Sequence, residues 1–387
     1  MRLKKSMVLS CSKKCILLGV NQMSEVIKVA LLYGGKSGEH EVSLVSAAAV
    51  LKNLHPDKYV VTPIAIDKNG LIYKNLASEL RQNTEALPVK TATSIPVSSL
   101  INNGRFCCDV DVVFSIIHGR AYEDGCLQGI LRHAEVAFVG ADVLGSAIGM
   151  SKDVAKKLAV QDDLKTARFI LLDKTMSQSE ISAWLDTAAT ELSWPMFVKP
   201  SCAGSSVGIS KVHDFAGLEA AINEAWRFDD EILLEEAIVG REIEVAVLEN
   251  HRKHTIAASL PGEIKVKHKD NFYSYAAKYL ESDASEYLIP APLELAWQEK
   301  IQQEAIAIFK RLKCRGMARV DFFFDDVNEE LYFNEVNTIP GFTEISFYPL
   351  LWSKSGLETP ELLDCLIDTA ILQQQERSLL TTDFRKN

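Results

Sequence analysis

Two short strands near the end of the chain constrain its fold more than any other feature of the sequence. The segments RVDFFF and LYFNEV flank DDVNEE, a turn-rich polar stretch, and this pattern predicts an antiparallel hairpin. Asp321 and Glu335 are equidistant from residue 328, so we expect them to meet as cross-strand partners. Glu335 and Asn337 are two positions apart and should project to the same face of their strand. The sequence therefore predicts that three oxygen-bearing side chains converge on this hairpin.

Such a set of side chains is typical of a magnesium site. Hard oxygen ligands that leave room for water and phosphate oxygens suit Mg²⁺, which prefers one or two carboxylates to an all-protein cage. The alternative is that the acids face solvent. Aromatic residues flank them, however, and the loop TIPGFT follows, which favours a binding site. We therefore predict that Asp321, Glu335 and Asn337 bind Mg²⁺.

A glycine-rich segment is the best candidate for a phosphate site. GGKS at 34–37 is not a Walker A loop, because that motif needs a glycine at position 30, which is alanine. In KPSCAGSSVGIS, Lys199 ends a predicted strand, and the backbone N–H groups of residues 204–208 could surround a phosphate. Lys152 and Lys278 are further candidates for phosphate binding. The alternatives are an ordinary turn and lysines that face solvent.

The first third of the chain has the pattern of an open parallel α/β domain. The strand VIKVALLYGG runs into glycines, and GEHEVSLVSAAAVLKNL then has helical spacing, which predicts a βα unit. YVVTPIAID and VDVVFSIIHG predict further strands, and LQGILRHA a further helix. Ligands of such sheets gather at the carboxyl ends of the strands, which places Glu39 and His118 at one rim. His118 could equally be an ordinary buried histidine.

The remainder of the chain predicts a mixed α+β structure. WPMFVKP, GISKV and EILLEEAI are predicted strands, and residues 293–313 a long amphipathic helix. We expect a disordered extension at 1–26, domains at 27–140, 141–235 and 236–374, and a polar tail at 375–387. The extension begins like a secretory signal, but Lys13 and Lys14 interrupt its apolar part, so a signal peptide is only the alternative.

Composition excludes several classes of partner. The net charge is −10 and no long run of lysine and arginine occurs, which argues against nucleic acid. No run of eighteen apolar residues could span a membrane. The eight cysteines form no CxxC pair and are typical of reduced thiols in the cytosol. We expect a cytoplasmic protein that acts on small molecules.

Seven segments of the chain, taken together and in order, resemble the D-alanine–D-alanine ligases of the ATP-grasp superfamily. The segments are GGKSGEHEVSLVSA, HGRAYEDGCLQG, FVKPSCAGSSVGISKV, EEAIVGREIEVAVL, PGEI followed by FYSYAAKY, RVDFFF, and NEVNTIPGFTEIS. The resemblance runs from about Val29 to Gly356. It implies an ATP-grasp fold of three domains, and ATP-dependent ligation of two D-alanines through an acyl phosphate for peptidoglycan precursor synthesis. It also implies a homodimer that uses ATP and two Mg²⁺ ions, with Mn²⁺ as a substitute.

The resemblance assigns roles to individual residues on the nucleotide side of the site. The residues that would bind ATP are Lys152, Lys199, Lys278, Glu235 and Glu242. The lysines would hold phosphates, and the two acids would lie on the adenine and ribose sides. The magnesium ligands of the family match the three hairpin residues predicted above.

The resemblance also assigns the amino-acid subsites. Glu39 would receive the ammonium group of the first D-alanine, linked to Ser205 and Tyr279, with His118 beside it. The groups that would stabilise the oxyanion are the side chain of Arg319 and the backbone of Gly341. The positions that would hold the carboxylate of the second D-alanine are Ser346 and Phe347.

Some features of the sequence leave alternatives. Cys202, Ala203 and Glu344 depart from common usage in the family. One alternative function is a ligase that joins D-alanine to D-lactate or to another D-amino acid, although Tyr279 favours the dipeptide. Another is an ATP-binding kinase or regulator without ligation, although the complete set of hairpin residues argues against a regulator.

Overall fold

The structure of the protein is a computed structural model that describes residues 26–82, 85–161, 163–204, 207–266 and 285–381. Three of the predicted site residues, Ser205, Lys278 and Tyr279, lie outside the described residues, as does the N-terminal segment up to residue 25. The described chain forms three large sheets and one small hairpin.

The first sheet is built from the N-terminal part of the chain. Its strands are β1 (Ile27–Gly34), β2 (Tyr59–Ile66), β3 (Ile72–Lys74), β4 (Ile95–Val97), β7 (Val112–Ser115) and β8 (Ala137–Phe138), and the separate hairpin consists of β5 (Ile101–Asn102) and β6 (Arg105–Phe106). The order is β4-β3-β2-β1-β7-β8. The pairs β1–β2, β1–β7 and β7–β8 are parallel, as predicted. Strand β3 pairs antiparallel with β2, as the short connection between them at 67–71 requires, and the edge strand β4 pairs antiparallel with β3.

Three helices accompany this sheet: α1 (His40–Asn53), α2 (Ala77–Leu80) and α3 (Cys126–His133). Helix α1 lies within the segment GEHEVSLVSAAAVLKNL, which the βα pattern predicted to be helical, and begins directly after Glu39. The hydroxyl of Ser43 accepts a hydrogen bond from Gly34 N at 2.9 Å and donates one to Ile116 O at 2.6 Å. This fully buried serine therefore fixes α1 against the carboxyl ends of β1 and β7.

The second sheet is antiparallel and has its own core. Its strands are β10 (Phe169–Asp173), β11 (Met196–Pro200), β12 (Ser210–Val212) and β13 (Glu231–Glu236), in the order β10-β13-β11-β12. Helices α6 (Gln178–Glu191) and α7 (Leu218–Ala225) pack on this sheet, and a 3₁₀ turn spans Phe215–Gly217. Helices α4 (Val143–Met150) and α5 (Lys152–Val160), which follow the first sheet in the chain, contact the third sheet instead. The predicted pairing of β11 with β12 around the glycine-rich loop is confirmed.

The third sheet contains the predicted hairpin. Its strands are β9 (Lys165–Thr166), β14 (Arg241–Asn250), β15 (Thr255–Ala258), β16 (Gly262–Val266), β17 (Ser285–Leu288), β18 (Met317–Asp325) and β19 (Glu330–Asn337). The order is β17-β16-β14-β18-β19-β9, with β15 paired to β14. The C-terminal helices are α8 (Leu295–Arg311), α9 (Phe347–Lys354) and α10 (Thr359–Ser378). Helix α8 is the predicted long amphipathic helix, two residues shorter at each end.

The first and third sheets share one hydrophobic core. Buried side chains of the first sheet, such as Leu31 and Phe114, belong to the same cluster as Ala246 of β14, Tyr348 of α9 and Leu363 of α10. Each large apolar side chain buried in this way contributes about 1.5–3 kcal/mol to folding. The shared core therefore holds the rim of the first sheet against the loops that follow β19. No helix in the described ranges is long and apolar enough to cross a membrane.

Candidate active site

A cavity of about 1090 Å³ opens where the three sheets meet. It brings together residues that are far apart in the sequence. The predicted site residues that line it are Glu39, His118, Lys152, Arg319, Glu335, Asn337, Gly341, Ser346 and Phe347. Four others, Lys199, Glu235, Glu242 and Asp321, are not part of this lining, although Asp321 binds Arg319, which is.

The hairpin of β18 and β19 contributes Arg319, Glu335 and Asn337 to the lining of the cavity. Asp321 pairs with Glu335, and Arg319 with Asn337, so the predicted cross-strand pair is confirmed. In the pairs closer to the turn, which start with Phe322 and Phe333, the midpoint of the two residue numbers is half a residue lower than the midpoint of Asp321 and Glu335. A β-bulge after Asp321 leaves Asn334 without a cross-strand partner and restores the pairing of the two acids. Our prediction assumed a regular hairpin without a bulge. It gave the correct pair of Asp321 and Glu335, but these two residues are opposite each other because of the bulge.

One face of the hairpin and its neighbour β14 carries an acidic cluster, which consists of Glu244, Arg319, Asp321 and Glu335. Arg319 binds Asp321 through two hydrogen bonds of 2.8 and 2.7 Å, and its Nε lies 2.9 Å from Glu244 Oε2. Burial acts to lower the pKa of Arg319, but the charges of Asp321 and Glu244 outweigh it and hold this pKa well above its ordinary value. Three carboxylates surround one guanidinium, so the cluster carries excess negative charge.

A second cluster has the opposite composition. This lysine cluster consists of Lys156 on α5, Lys199 on β11 and Glu235 on β13. Lys199 donates a short hydrogen bond to Glu235, and Lys156 Nζ lies 3.0 Å from the other carboxylate oxygen. Burial would raise the pKa of Glu235, but the two lysine charges outweigh it and lower this pKa. Burial lowers the pKa of Lys156 despite the attraction of Glu235.

Lys156 was missed by the sequence analysis. It lies four positions after Lys152, so the two lysines share one face of α5, and only this spacing could have indicated it. Lys156 is 1 % exposed, whereas the next residue, Lys157, has a side chain that is 58 % exposed. Nothing in the dipeptide itself shows which of the two lysines is buried.

Lys152 connects the acidic cluster to the glycine-rich loop. Its Nζ lies 3.2 Å from Glu335 Oε2 and donates a hydrogen bond of 2.6 Å to the carbonyl of Ala203. The amide of Cys202 donates to Asp229 Oδ2 at 2.6 Å, which fixes the start of the loop. Cys202 and Ala203, two departures from common family usage, therefore take part through their backbone atoms.

The rim of the first sheet places a carboxylate and a buried histidine beside this loop. A Cβ at Gly204 would lie 3.3 Å from Glu39 Oε2, so glycine allows the loop to approach that carboxylate closely. His118 Nδ1 lies 4.0 Å from Glu123 Oε1, and both residues are buried. Burial acts to lower the pKa of His118, but Glu123 outweighs it and raises this pKa. Glu123 was missed, although it follows His118 within HGRAYEDG.

The loop after β19 completes the cavity. Gly341 is packed so closely that a Cβ there would lie 2.8 Å from Ser346 Oγ. Ser346 precedes α9, which begins at Phe347, and its hydroxyl accepts a hydrogen bond from Thr343 N at 2.9 Å. The N–H groups of a first helical turn lack partners within the helix and favour anions. Glu344 is exposed and lies 3.4 Å from Lys52.

Glu242 of β14 lies two residues before Glu244, on the same face of the strand. Its backbone pairs with Ile264 and Phe323. This face is continuous with the acidic cluster.

The comparisons with known proteins agree with this architecture. The family model described as D-ala D-ala ligase N-terminus matches residues 28–141, and that described as D-ala D-ala ligase C-terminus matches residues 158–368. A D-alanine–D-alanine ligase of Legionella pneumophila (strain Lens) is 52% identical over 363 residues, which cover 94% of this chain and 100% of the relative. A D-alanine–D-alanine ligase A of Bradyrhizobium diazoefficiens is 43% identical over 375 residues, 94% of this chain and 100% of the relative.

Solved structures give the same result. The D-alanine-D-alanine ligase from Coxiella burnetii matches with a TM-score of 0.76 and 33% identity, covering 92% of this chain and 96% of that one. The VanG D-Ala:D-Ser ligase from Enterococcus faecalis matches with a TM-score of 0.77 and 33% identity, covering 89% of this chain and 100% of that one.

Proposed function

The chain belongs to the D-alanine–D-alanine ligase family, and we propose that it joins two D-alanine molecules at the expense of ATP. The carboxylate of the first D-alanine takes the γ-phosphoryl group of ATP, which gives an acyl phosphate and ADP. The amine of the second D-alanine then attacks the acyl carbon and displaces phosphate. The product, D-alanyl-D-alanine, is a precursor of peptidoglycan.

The observation that supports this proposal is a single cavity lined by Glu39 at the rim of the first sheet, by Lys152, and by Arg319 and Glu335 of the acidic cluster. Lys152 lies 3.2 Å from Glu335, and the glycine-rich loop that Lys152 contacts approaches Glu39 at Gly204. An ammonium group, a chain of phosphates and a reacting carboxyl group therefore each have a partner of opposite charge within one space.

The lysines are the groups that would bind the phosphates of ATP. Lys199 is on the strand that leads into the glycine-rich loop and Lys152 binds the loop carbonyl of Ala203, so their charges would offset those of the transferring phosphoryl group. Glu235 orients Lys199 and, with Glu242, would lie on the adenine and ribose sides of the nucleotide. Lys278, in the residues that are not described, would be a third phosphate ligand.

The family uses ATP and a divalent metal ion, and the residues of the hairpin fit such an ion. Asp321 and Glu335 supply carboxylate oxygens, and Asn337 Oδ1, which accepts a hydrogen bond from Ile339 N at 3.0 Å, keeps a second lone pair. We assign two Mg²⁺ ions to these three residues, with Mn²⁺ able to substitute. When bound, the ions would neutralise charge on the phosphate oxygens.

The remaining site residues would bind and orient the two amino acids. Glu39, with Ser205 and Tyr279, would hold the ammonium group of the first D-alanine beside His118. The oxyanion that forms when the second amine attacks would be stabilised by Arg319 and by the Gly341 amide. The carboxylate of the second D-alanine would bind at Ser346 and Phe347, where the first turn of α9 favours an anion.

The proposal also covers the cellular location, the oligomeric state and the domain boundaries of the enzyme. We infer a cytoplasmic homodimer whose chain divides into an N-terminal extension (1–26), three domains (27–140, 141–235 and 236–374) and a polar tail (375–387). The large core shared by the first and third sheets supports contact between the first and last of these domains.

A product assay tests the proposed function. Purified protein that receives ATP, Mg²⁺ and D-alanine should release one phosphate for each D-alanyl-D-alanine formed, with the dipeptide identified by mass spectrometry. Parallel reactions with D-lactate or D-serine as the second substrate distinguish the related ligases. Formation of ADP without any dipeptide would overturn the proposal and favour a kinase.

A further inference from the structure

Helix α1 carries a second polar residue that faces the cavity loops, two turns after Glu39. Ser46 is fully buried, with an exposed fraction of 0 %. Its hydroxyl accepts a hydrogen bond from Phe342 N at 3.2 Å, across 296 positions of sequence. Ser46 lies seven positions after Glu39, which is about two helical turns, so both residues lie on nearly the same side of α1.

The amides of the loop that Ser46 contacts are almost all in use. Between Ile339 and Thr343, Ile339 N donates to Asn337 Oδ1, Phe342 N to Ser46, and Thr343 N to Ser346 Oγ. Pro340 has no N–H group. Among the described residues, no protein group accepts a hydrogen bond from Gly341 N. This amide is therefore the one in the segment that is left to donate to a bound molecule.

The position of that amide depends on its neighbours. A Cβ added at Gly341 would lie 3.7 Å from Ser46 Oγ, so the serine touches the same turn of backbone that carries the amide. The ring of Phe342 packs edge-on against Phe114, with centroids 5.9 Å apart, and in a tilted arrangement against Tyr348, with centroids 5.8 Å apart. Aromatic packing therefore holds the side chain of Phe342 in the shared core, and the hydrogen bond to Ser46 holds its backbone N–H.

We propose that Ser46 is a positioning residue that aims the Gly341 amide at the oxyanion of the ligation step. This inference rests on the proposed function, in which Gly341 stabilises that oxyanion. Ser46 does not line the cavity and acts through the Phe342 backbone. Because Glu39 is on the same helix, α1 fixes the group that binds the first ammonium relative to the group that stabilises the transition state.

The test compares Ser46→Ala with Ser259→Ala. Ser259 is also fully buried, and its hydroxyl likewise accepts a hydrogen bond from a backbone amide, Ala246 N, at 3.0 Å. Both variants should lower the unfolding temperature by a similar amount. Ser46→Ala should also lower kcat about tenfold, less than the loss of an oxyanion donor itself, with KM for ATP unchanged. Ser259→Ala should keep kcat within about twofold of wild type.

A binding measurement separates positioning from a purely structural role. A phosphinate analogue of D-alanyl-D-alanine has a tetrahedral phosphorus that imitates the intermediate, so Ser46→Ala should weaken its binding about tenfold while the affinity for the dipeptide product stays the same. Equal kcat in the two serine variants, or equal loss of analogue and product binding, would overturn the role of Ser46. A wild-type protein that forms no dipeptide would overturn the proposed function instead, so the two failures are distinguishable.

Discussion

The acidic cluster and the lysine cluster are built in the same way but with opposite signs. In the first, three carboxylates share Arg319. In the second, two lysines share Glu235. Strands of the third sheet hold the acidic cluster, in which negative charge is in excess, whereas α5 and two strands of the second sheet hold the lysine cluster, in which positive charge is in excess. A negative excess suits a cation and a positive excess suits phosphate, which is the combination that the proposed nucleotide and metal ion require.

The two clusters differ in how strongly each depends on its single residue of opposite charge, which is Arg319 in the acidic cluster and Glu235 in the lysine cluster. Arg319 is restrained by two hydrogen bonds to Asp321, and the acids around it could also be neutralised by a metal ion. Glu235 is 2 % exposed and is the carboxylate that both lysines contact. We therefore expect changes in the acidic cluster to affect activity most, and changes in the lysine cluster to affect stability as well.

The largest effect should come from Glu335→Gln. Removing this carboxylate takes away a proposed metal ligand, so turnover should fall by at least about a hundredfold, and the Mg²⁺ concentration needed for half the maximal rate should rise. Steady-state kinetics measures both, and circular dichroism should show an unchanged fold.

Glu330→Gln is the matched control for that change. Glu330 is on the same strand, is 30 % exposed in its side chain like Glu335, and is also paired with a lysine, Lys165. This variant should keep its turnover within about twofold of wild type. Full activity of Glu335→Gln would remove the metal assignment.

The next largest effect should come from Glu235→Gln. The change leaves Lys156 and Lys199 buried without the carboxylate that they share, which should destabilise the protein by about 3 kcal/mol. Lys156→Met should cost less, about 1–2 kcal/mol, because Glu235 keeps Lys199 as its partner. Scanning calorimetry measures both variants, and equal losses would show that the cluster does not depend on its single acid.

The stability of the wild-type protein at acidic pH should also depend on the carboxylate of Glu235. The pKa of Glu235 in the folded state is below its ordinary value of 4.5, so its contribution to stability is complete above that pH. The contribution is lost as the pH falls through the lowered folded-state pKa. Unfolding temperatures measured from about pH 6 to about pH 3 should therefore decline more steeply for wild type than for Glu235→Gln. Parallel curves would mean that the carboxylate is not held by the lysines.

The smallest effect should come from Lys157→Gln. Lys157 neighbours Lys156 but is exposed, and it forms an i,i+4 pair with Asp153 at 2.9 Å. The change should cost at most about 0.5 kcal/mol and leave activity unaltered. A loss as large as that of Lys156→Met would indicate that burial does not distinguish the two lysines.

The sequence predicted those parts of the site that depend on local spacing. The pairing of Asp321 with Glu335 and the strand that ends at the glycine-rich loop follow from periodicity and turn composition, and both are confirmed. The resemblance supplied residues such as Gly341 and Ser346, whose roles rest on the family and stay proposals.

The contacts that the sequence did not predict are those between distant elements. Lys156 meets Glu235, Arg319 meets Glu244, and Ser46 meets Phe342 only because separate sheets and helices pack together. A lysine, a glutamate or a serine on a helix or strand has no local signal of such a partner. The bulge at Asn334 is similar, since its effect on register appears only when both strands are paired.

The rigidity of α1 has a consequence for how this enzyme could adapt. A helix rises by about 1.5 Å per residue, so the separation between Glu39 and Ser46 along its axis is about 10 Å and does not change with the molecule that is bound. A descendant that accepted a longer first amino acid could not obtain the extra room by stretching this segment. The new space would have to come from a shorter side chain in place of Glu39, or from a rebuilt turn around Pro340.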